Sequence, residues 1–266
     1  MTAHPLDADT ALAPITAGRW RAAIADRWWV QRGPFGGYVA AILARAMAEA
    51  VGDAARRPRS LSLHYADAPG AGEAEVCATV ERAGRSTTTL SGRLLQDGRP
   101  LVLALGAFSA WRDGDPTWDE TERPDAPPPD DCPPVPRVDG MPRFLDLLDV
   151  RWVSGGTFGA PAPEAANLAW LRPRPARALD HLALTALADH WMPAAFSRIG
   201  RVLATPTLDL TIHFRTPVAA PGEWVLARSA SRLATGGVWE EDGELWSEDG
   251  TLLVQSRQLA MIRELA

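Results

Sequence analysis

The sequence predicts an α+β fold built twice over: a buried helix wrapped by a long antiparallel sheet, then a second copy of the same unit. Three observations predict it. The first is Gly33-Pro34-Phe35-Gly36-Gly37-Tyr38, which opens a stretch running apolar from Tyr38 to Ala44 with no charge before Arg45. A helix that is apolar nearly all round is a buried helix, and this one, with Arg45 and Glu49 inside it, is too short to span a bilayer. The second is the closely spaced strand-like runs that follow, parted by Pro69-Gly70, Ala83-Gly84 and Asp97-Gly98; Asp-Gly between two such runs is a hairpin signal. The third is recurrence at an offset of about 150 residues. Leu61-Ser-Leu-His-Tyr65 before Pro69 parallels Leu208-Asp-Leu-Thr-Ile212 before Pro217, and Gln96-Asp97-Gly98 parallels Glu248-Asp249-Gly250. Such self-similarity marks a tandem duplication. One sheet around one helix is the hot-dog arrangement, so the expectation is a double hot-dog. Its two sheets would join edge to edge, removing an exposed edge strand from each.

Taken in order, residues 1–18 read as a lead-in and 19–112 as the first unit. Arg19–Val30 reads as one or two strands, its tryptophans suited to a pleated surface. The buried helix ends near Gly52, and Arg56–Arg59 reads as a polar break. Strands are then expected over Leu61–Tyr65, Glu73–Arg82, Ser86–Gln96 and Pro100–Trp111. Residues 113–141 hold eight prolines between Pro116 and Pro136 together with many acids, which predicts a linker without regular structure. Residues 142–266 form the second unit. Within it Phe144–Val153 and Ala166–Leu171 read as strands, and Leu179 to about Trp191 as a helix with Asp180 near its start. Thr207–Phe214, Glu223–Leu233, Val238–Trp246 and Thr251–Arg263 read as strands, punctuated by Pro221-Gly222, Gly236-Gly237 and Asp249-Gly250.

Composition excludes several classes of function. The net charge of -6 argues against a nucleic-acid partner. All 27 basic residues are arginine, so there is no lysine for a Schiff base or a P-loop. Two cysteines, Cys77 and Cys132, make neither a disulfide framework nor a zinc site. The five histidines, including His181 and His190, lack metal-site spacing, so neither a metal nor a cofactor is expected. No G-x-S-x-G elbow is present. The N-terminus lacks a basic region followed by an apolar one, which predicts a cytoplasmic protein with no membrane partner. Eleven tryptophans belong in cores or interfaces, and tryptophan-rich, edge-bearing sheets predict a homodimer.

Gly33-Pro-Phe-Gly-Gly-Tyr-Val-Ala-Ala41, Gly84-Arg85-Ser86 and Leu94-Leu95-Gln96-Asp97-Gly98 resemble the first hot-dog of the type II acyl-CoA thioesterase family. Thr207–Pro217, Gly222-Glu223-Trp224, Asp249-Gly250 and Gln255-Ser-Arg-Gln258 resemble the second. The resemblance covers about residues 19 to 263, the linker apart, and implies hydrolysis of an acyl-CoA substrate. It also implies a water-orienting set of Asp, Thr or Ser, and Gln, matched residue by residue by Asp189, Thr207 and Gln258. Members of the best-known branch carry glutamines in the first helix, where this chain has Tyr38 and Ala44; that branch's acyl specificity is therefore not carried over. Substrate contacts are expected at Gly36, Gly37 and Tyr38.

The residues support this chemistry in their own right. Asp189 lies at helical spacing from Leu182 and Ala186, on the apolar face of the predicted helix. Burial there would raise its pKa toward the range of a general base. Thr207 and Gln258 both offer donors and acceptors to a water. An oxyanion donor is expected from backbone N–H groups near Gly36-Gly37. Thr207, Asp209, Thr211 and His213 share one strand face, and Asp209, a rival carboxylate, fits a structural hydrogen bond. Gln255 and Gln258 face opposite sides of their strand, so only one reaches Asp189. The first helix carries no carboxylate in its apolar run, so one working site per chain is expected. The alternatives on this fold are a non-catalytic acyl-ligand binder and, further off, a hydratase or dehydratase.

Overall fold

In the computed structural model, residues 3–264 are described apart from 31, 113, 115–116, 138, 190–191 and 217–222. The elements are α1 (Pro5–Asp9), β1 (Ala13–Thr16), β2 (Arg19–Ile24), α2 (Gly36–Val51), β3 (Arg56–Tyr65), β4 (Gly72–Ala83), β5 (Thr87–Gln96) and β6 (Arg99–Ala110) in the first half. The second half has β7 (Leu148–Gly155), β8 (Ala165–Pro173), α3 (His181–Leu187), α4 (Ala194–Ile199), β9 (Thr207–Phe214), β10 (Val225–Ser231), β11 (Ala234–Thr235), β12 (Val238–Ser247) and β13 (Leu252–Met261). The strands form one antiparallel sheet in the order β1-β2-β4-β5-β6-β3-β9-β13-β12-β10-β8-β7, with β11 paired to β12. Read from its two ends, this order repeats the same connectivity, as the duplicated sequence requires. The fold is the double hot-dog.

The halves meet where β3 pairs with β9. Leu61 faces Ile212, Ser62 faces Thr211 and Leu63 faces Leu210. This exchange of equivalent positions is what a two-fold relation between the halves produces. At its centre Thr211 Oγ1 donates to Ser62 Oγ at 3.1 Å. The two interior edges vanish into the seam, leaving β1 and β7 at the ends of the sheet.

α2 is buried nearly all round: Tyr38, Ala40 to Leu43, Ala46 and Met47 are fully enclosed. It ends at Gly52, whose φ of 63° is the left-handed conformation that closes a helix and that glycine adopts without strain. α3 starts on Asp180, whose side chain accepts from the Ala183 N–H at 2.9 Å. Arg177 anchors the same carboxylate through two bonds of 2.9 Å.

Several elements differ from expectation for local reasons. β2 stops at Ile24, and Asp26–Trp28 forms a 3-10 turn that stacks Trp28 on Tyr38 with ring centroids 4.8 Å apart. The expected polar break at Arg56–Arg59 lies inside β3. A bulge between Pro58 and Ser60 accommodates the proline, Arg59 bonds Ser109 on the adjacent β6, and Arg56 reaches past it to Thr88 on β5. Arg143–Leu147 is a 3-10 turn, stacking Phe144 on Phe35, so the expected strand there starts at Leu148. The second helix ends at Leu187 and is followed by α4, which the sequence did not signal; His190 and Trp191 lie outside the described residues, as do Pro217 and Pro221-Gly222. The lead-in contains α1 and β1, with Leu6 in the core.

The Pro-rich stretch covers the outer face of the second half. Trp170, Trp224, Trp246 and Cys132 cluster there, and the Trp170 indole N–H donates to the Pro127 carbonyl at 2.8 Å. These tryptophans are therefore buried by their own chain, and the self-association argued from tryptophan-rich sheets loses that support.

Candidate functional site

The candidate site lies where the start of α2 meets the end of α3. Asp189, two residues beyond α3, is only 9% exposed. Its Oδ2 accepts from the Gly37 N–H at 2.8 Å, a bond that ties the second half to the first. Both glycines are dictated by that approach. A β-carbon on Gly36 would lie 2.8 Å from Asp189 Oδ2, and one on Gly37 would collide with the Ala186 carbonyl. Tyr65, from β3, donates to the Gly36 carbonyl at 3.0 Å, closing the same corner. Burial pushes the Asp189 carboxyl up to about 7, against the Gly37 bond, which favours the charged form. Burial, with the Asp189 charge nearby, pushes the Tyr65 phenol well above its usual range.

Thr207 opens β9 and Gln258 lies on β13, and the structure brings them together: Thr207 Oγ1 donates to Gln258 Oε1 at 3.1 Å. Two residues before Gln258 on the same strand, Ser256 Oγ donates to the carbonyl of Ala188, the neighbour of Asp189, at 3.0 Å. Gln255 faces the other way, accepting from Arg215 Nε at 2.8 Å. Asp209 stands opposite His64 in the seam.

One member of this cluster escaped the sequence reading. Glu241 on β12 is 2% exposed and lies directly across from Gln258 in the strand register. Its Oε1 accepts from Gln258 Nε2 at 2.7 Å and its Oε2 from the Ala194 N–H at 2.5 Å. Burial pushes its carboxyl up to about 8, and the Asp189 charge acts in the same direction. The sequence holds a signal for it. Trp239, Glu241, Gly243 and Leu245 alternate along β12 and all four are buried, so an acid stands on an apolar face. The flanking Glu240 and Asp242 disguise it as part of a solvated acidic run.

The remaining expected residues fall differently. The Gly37 N–H, expected to serve an oxyanion, is donated to Asp189 instead. Tyr38 is not brought to the cluster: it is fully buried, and its hydroxyl shares its one proton between the Asp9 and Ala23 carbonyls and accepts from the Ala25 N–H. A cavity of about 510 Å³ opens on the outer face of β10, β12 and β13, edged by Arg228, Asp242, Glu244 and Arg257. Its arginines are paired with its acids, and Asp189 does not line it. Among the described residues, no group of three or more His, Cys, Asp or Glu could hold a metal, and no helix is long and apolar enough to cross a membrane.

Comparison with known proteins bears on this geometry. The family model described as the acyl-CoA thioesterase N-terminal domain matches residues 25–109, and the one described as the C-terminal domain matches residues 129–262. Among solved structures, a conserved hot-dog protein of unknown function from Alicyclobacillus acidocaldarius is 26% identical, with a TM-score of 0.91 and full coverage of both chains. An acyl-CoA thioesterase II from Mycobacterium marinum is 23% identical, with a TM-score of 0.79 over 98% of this chain and 99% of its own. No curated protein matches.

Proposed function

The chain belongs to the acyl-CoA thioesterase family, and from that premise we propose that it hydrolyses an acyl-CoA thioester to the free acid and CoA. The observation that carries the reading is Asp189: a buried carboxylate, held at the junction of the two halves, with its pKa raised to about 7. A base poised near the working pH is the most effective one. In the proposed reaction the ionised Asp189 takes a proton from water, and the water oxygen attacks the thioester carbonyl. The tetrahedral adduct collapses with cleavage of the C–S bond, and the CoA thiolate leaves with the proton that Asp189 returns. Thr207 and Gln258 orient the water, their mutual bond fixing the hydroxyl and the amide in one arrangement.

The test is thiol release over a panel of acyl-CoA chain lengths by wild type and Asp189→Asn. Loss of a general base lowers kcat by about 10²–10⁴-fold, and the wild-type rate should climb with pH through a pKa near 7, since the base works ionised. Full activity in Asp189→Asn refutes the role of Asp189. If neither protein releases CoA while acyl-CoA still raises thermal stability, the fold serves binding alone.

A further inference from the structure

We propose that Glu241 is a positioning residue that fixes the amide of Gln258, so that the water-orienting pair has a single hydrogen-bonding arrangement. The inference rests on the hydrolase reading above and adds a residue that acts through Gln258. Three observations carry it.

The first is the chain of donors and acceptors. The Ala194 N–H donates to one oxygen of Glu241, and the other accepts from Gln258 Nε2. Gln258 Oε1 in turn accepts from Thr207 Oγ1. Ionised, Glu241 only accepts, and an amide nitrogen only donates. Glu241 therefore forces the NH₂ group of Gln258 toward itself and the oxygen toward Thr207. An amide without such a partner has two nearly equivalent orientations, and the flipped one would set a donor against Thr207 in place of an acceptor.

The second is burial without a packing reason. Isolating a carboxylate from water costs several kcal/mol unless its bonds are made, and Glu241 lies on the apolar face of its strand. The third is what the first half holds at the same place. Gly106 and Gln258 stand equally far past the glycines of the two Asp-Gly hairpins, Gly98 and Gly250. The register partner of Gly106 is Leu90, as that of Gln258 is Glu241. The strand pairing thus accepts an apolar residue at this position; what Glu241 adds is its two bonds, one to Gln258 and one to the first N–H of α4, a helix the first half lacks.

The experiment compares Glu241→Leu, Glu241→Gln, Gln258→Ala and the double variant Glu241→Leu/Gln258→Ala, each checked for folding by circular dichroism. It reads kcat and KM for the acyl-CoA that the wild type turns over best. It also reads the Gln258 side-chain amide resonances, assigned by their loss in Gln258→Ala. Glu241→Leu is expected to lower kcat about tenfold or more with KM within about threefold, and to move the amide resonances; a residue acting through another gives a double variant no worse than Gln258→Ala alone. Glu241→Gln, which keeps an acceptor oxygen, should recover most of the loss and guards against misfolding of the leucine variant. The proposal is overturned if Glu241→Leu leaves the Gln258 resonances and kcat unchanged, or if the two single losses multiply in the double variant. Should the wild type hydrolyse nothing, the hydrolase reading falls, and the amide resonances alone decide for or against Glu241.

Discussion

The two halves place the same strands around their helices and fill the space between them in opposite ways. In the first, Leu90 and Gly106 face each other across β5 and β6, and the absent side chains of Gly92 and Gly106 make room for Met47 of α2: β-carbons there would each lie 2.7 Å from its Cε or Sδ. In the second, Glu241 and Gln258 occupy the matching register, with Asp189 close by. The first core is closed by a flexible thioether that fits an irregular gap. The second carries two buried carboxylates whose pKa values rise to about 7 and about 8. The backbone plan tolerates either filling; the polar one costs stability and places buried titratable carboxyls in only one half.

The most severe way to break the contrast is to bring the acid across. Leu90→Glu would bury a carboxyl opposite Gly106, with no amide to meet it, and should cost about 3–5 kcal/mol in denaturant unfolding at neutral pH. A loss under 1 kcal/mol would mean that the first core is more open to water than its burial indicates.

A second measurement sharpens the contrast through pH. An acid whose pKa is higher folded than unfolded holds its proton longer in the native state. Its contribution is therefore fully present below the unfolded pKa, near 4, and is lost as pH rises through the folded value, near 7 for Asp189. Wild-type stability should fall over this window, and Asp189→Asn should flatten the curve, gaining roughly 2–4 kcal/mol over wild type by pH 8. Parallel curves for the two proteins would show that Asp189 is solvated.

The mildest intervention touches the point where the halves meet. Gly37→Ala places a methyl group against the Ala186 carbonyl and displaces α2 from α3. Overpacking of this kind costs about 1–3 kcal/mol, and the displacement lengthens the Gly37–Asp189 bond. The predicted signature is a larger loss in kcat than the thermal shift alone accounts for; a fully active variant would show that this bond does not matter to turnover.

Much of the fold was legible because its signals are local: an apolar helix led by two glycines, Asp-Gly hairpins, and a repeat that pairs β3 with β9. The misses have physical causes. Pro58 and three arginines read as a break, yet a bulge and cross-strand bonds keep them in β3. α1 and α4 are too short to show a periodicity, and they are held by tertiary contacts. Of the candidate site, Asp189, Thr207 and Gln258 were reached through family resemblance, because helical and strand spacing alone left Asp209 and Thr211 as rivals. Glu241 was hidden by Glu240 and Asp242, although strand alternation turns those two away from it. Gly37 was expected to face the substrate, since spacing along a sequence does not reveal which acceptor a backbone N–H will meet across the molecule.

The seam between β3 and β9 bears on how such a division of labour can arise. Its register is that of an isologous contact, the kind two copies of one chain make about a shared axis. In a symmetric pair of separate chains, every substitution appears on both sides of that axis. When a linker joins the copies, each can change without the other, and their meeting no longer depends on protein concentration. Leu90 and Met47 on one side and Glu241 and Asp189 on the other are what that independence allows: one copy packed with apolar side chains, its twin with the costly acids.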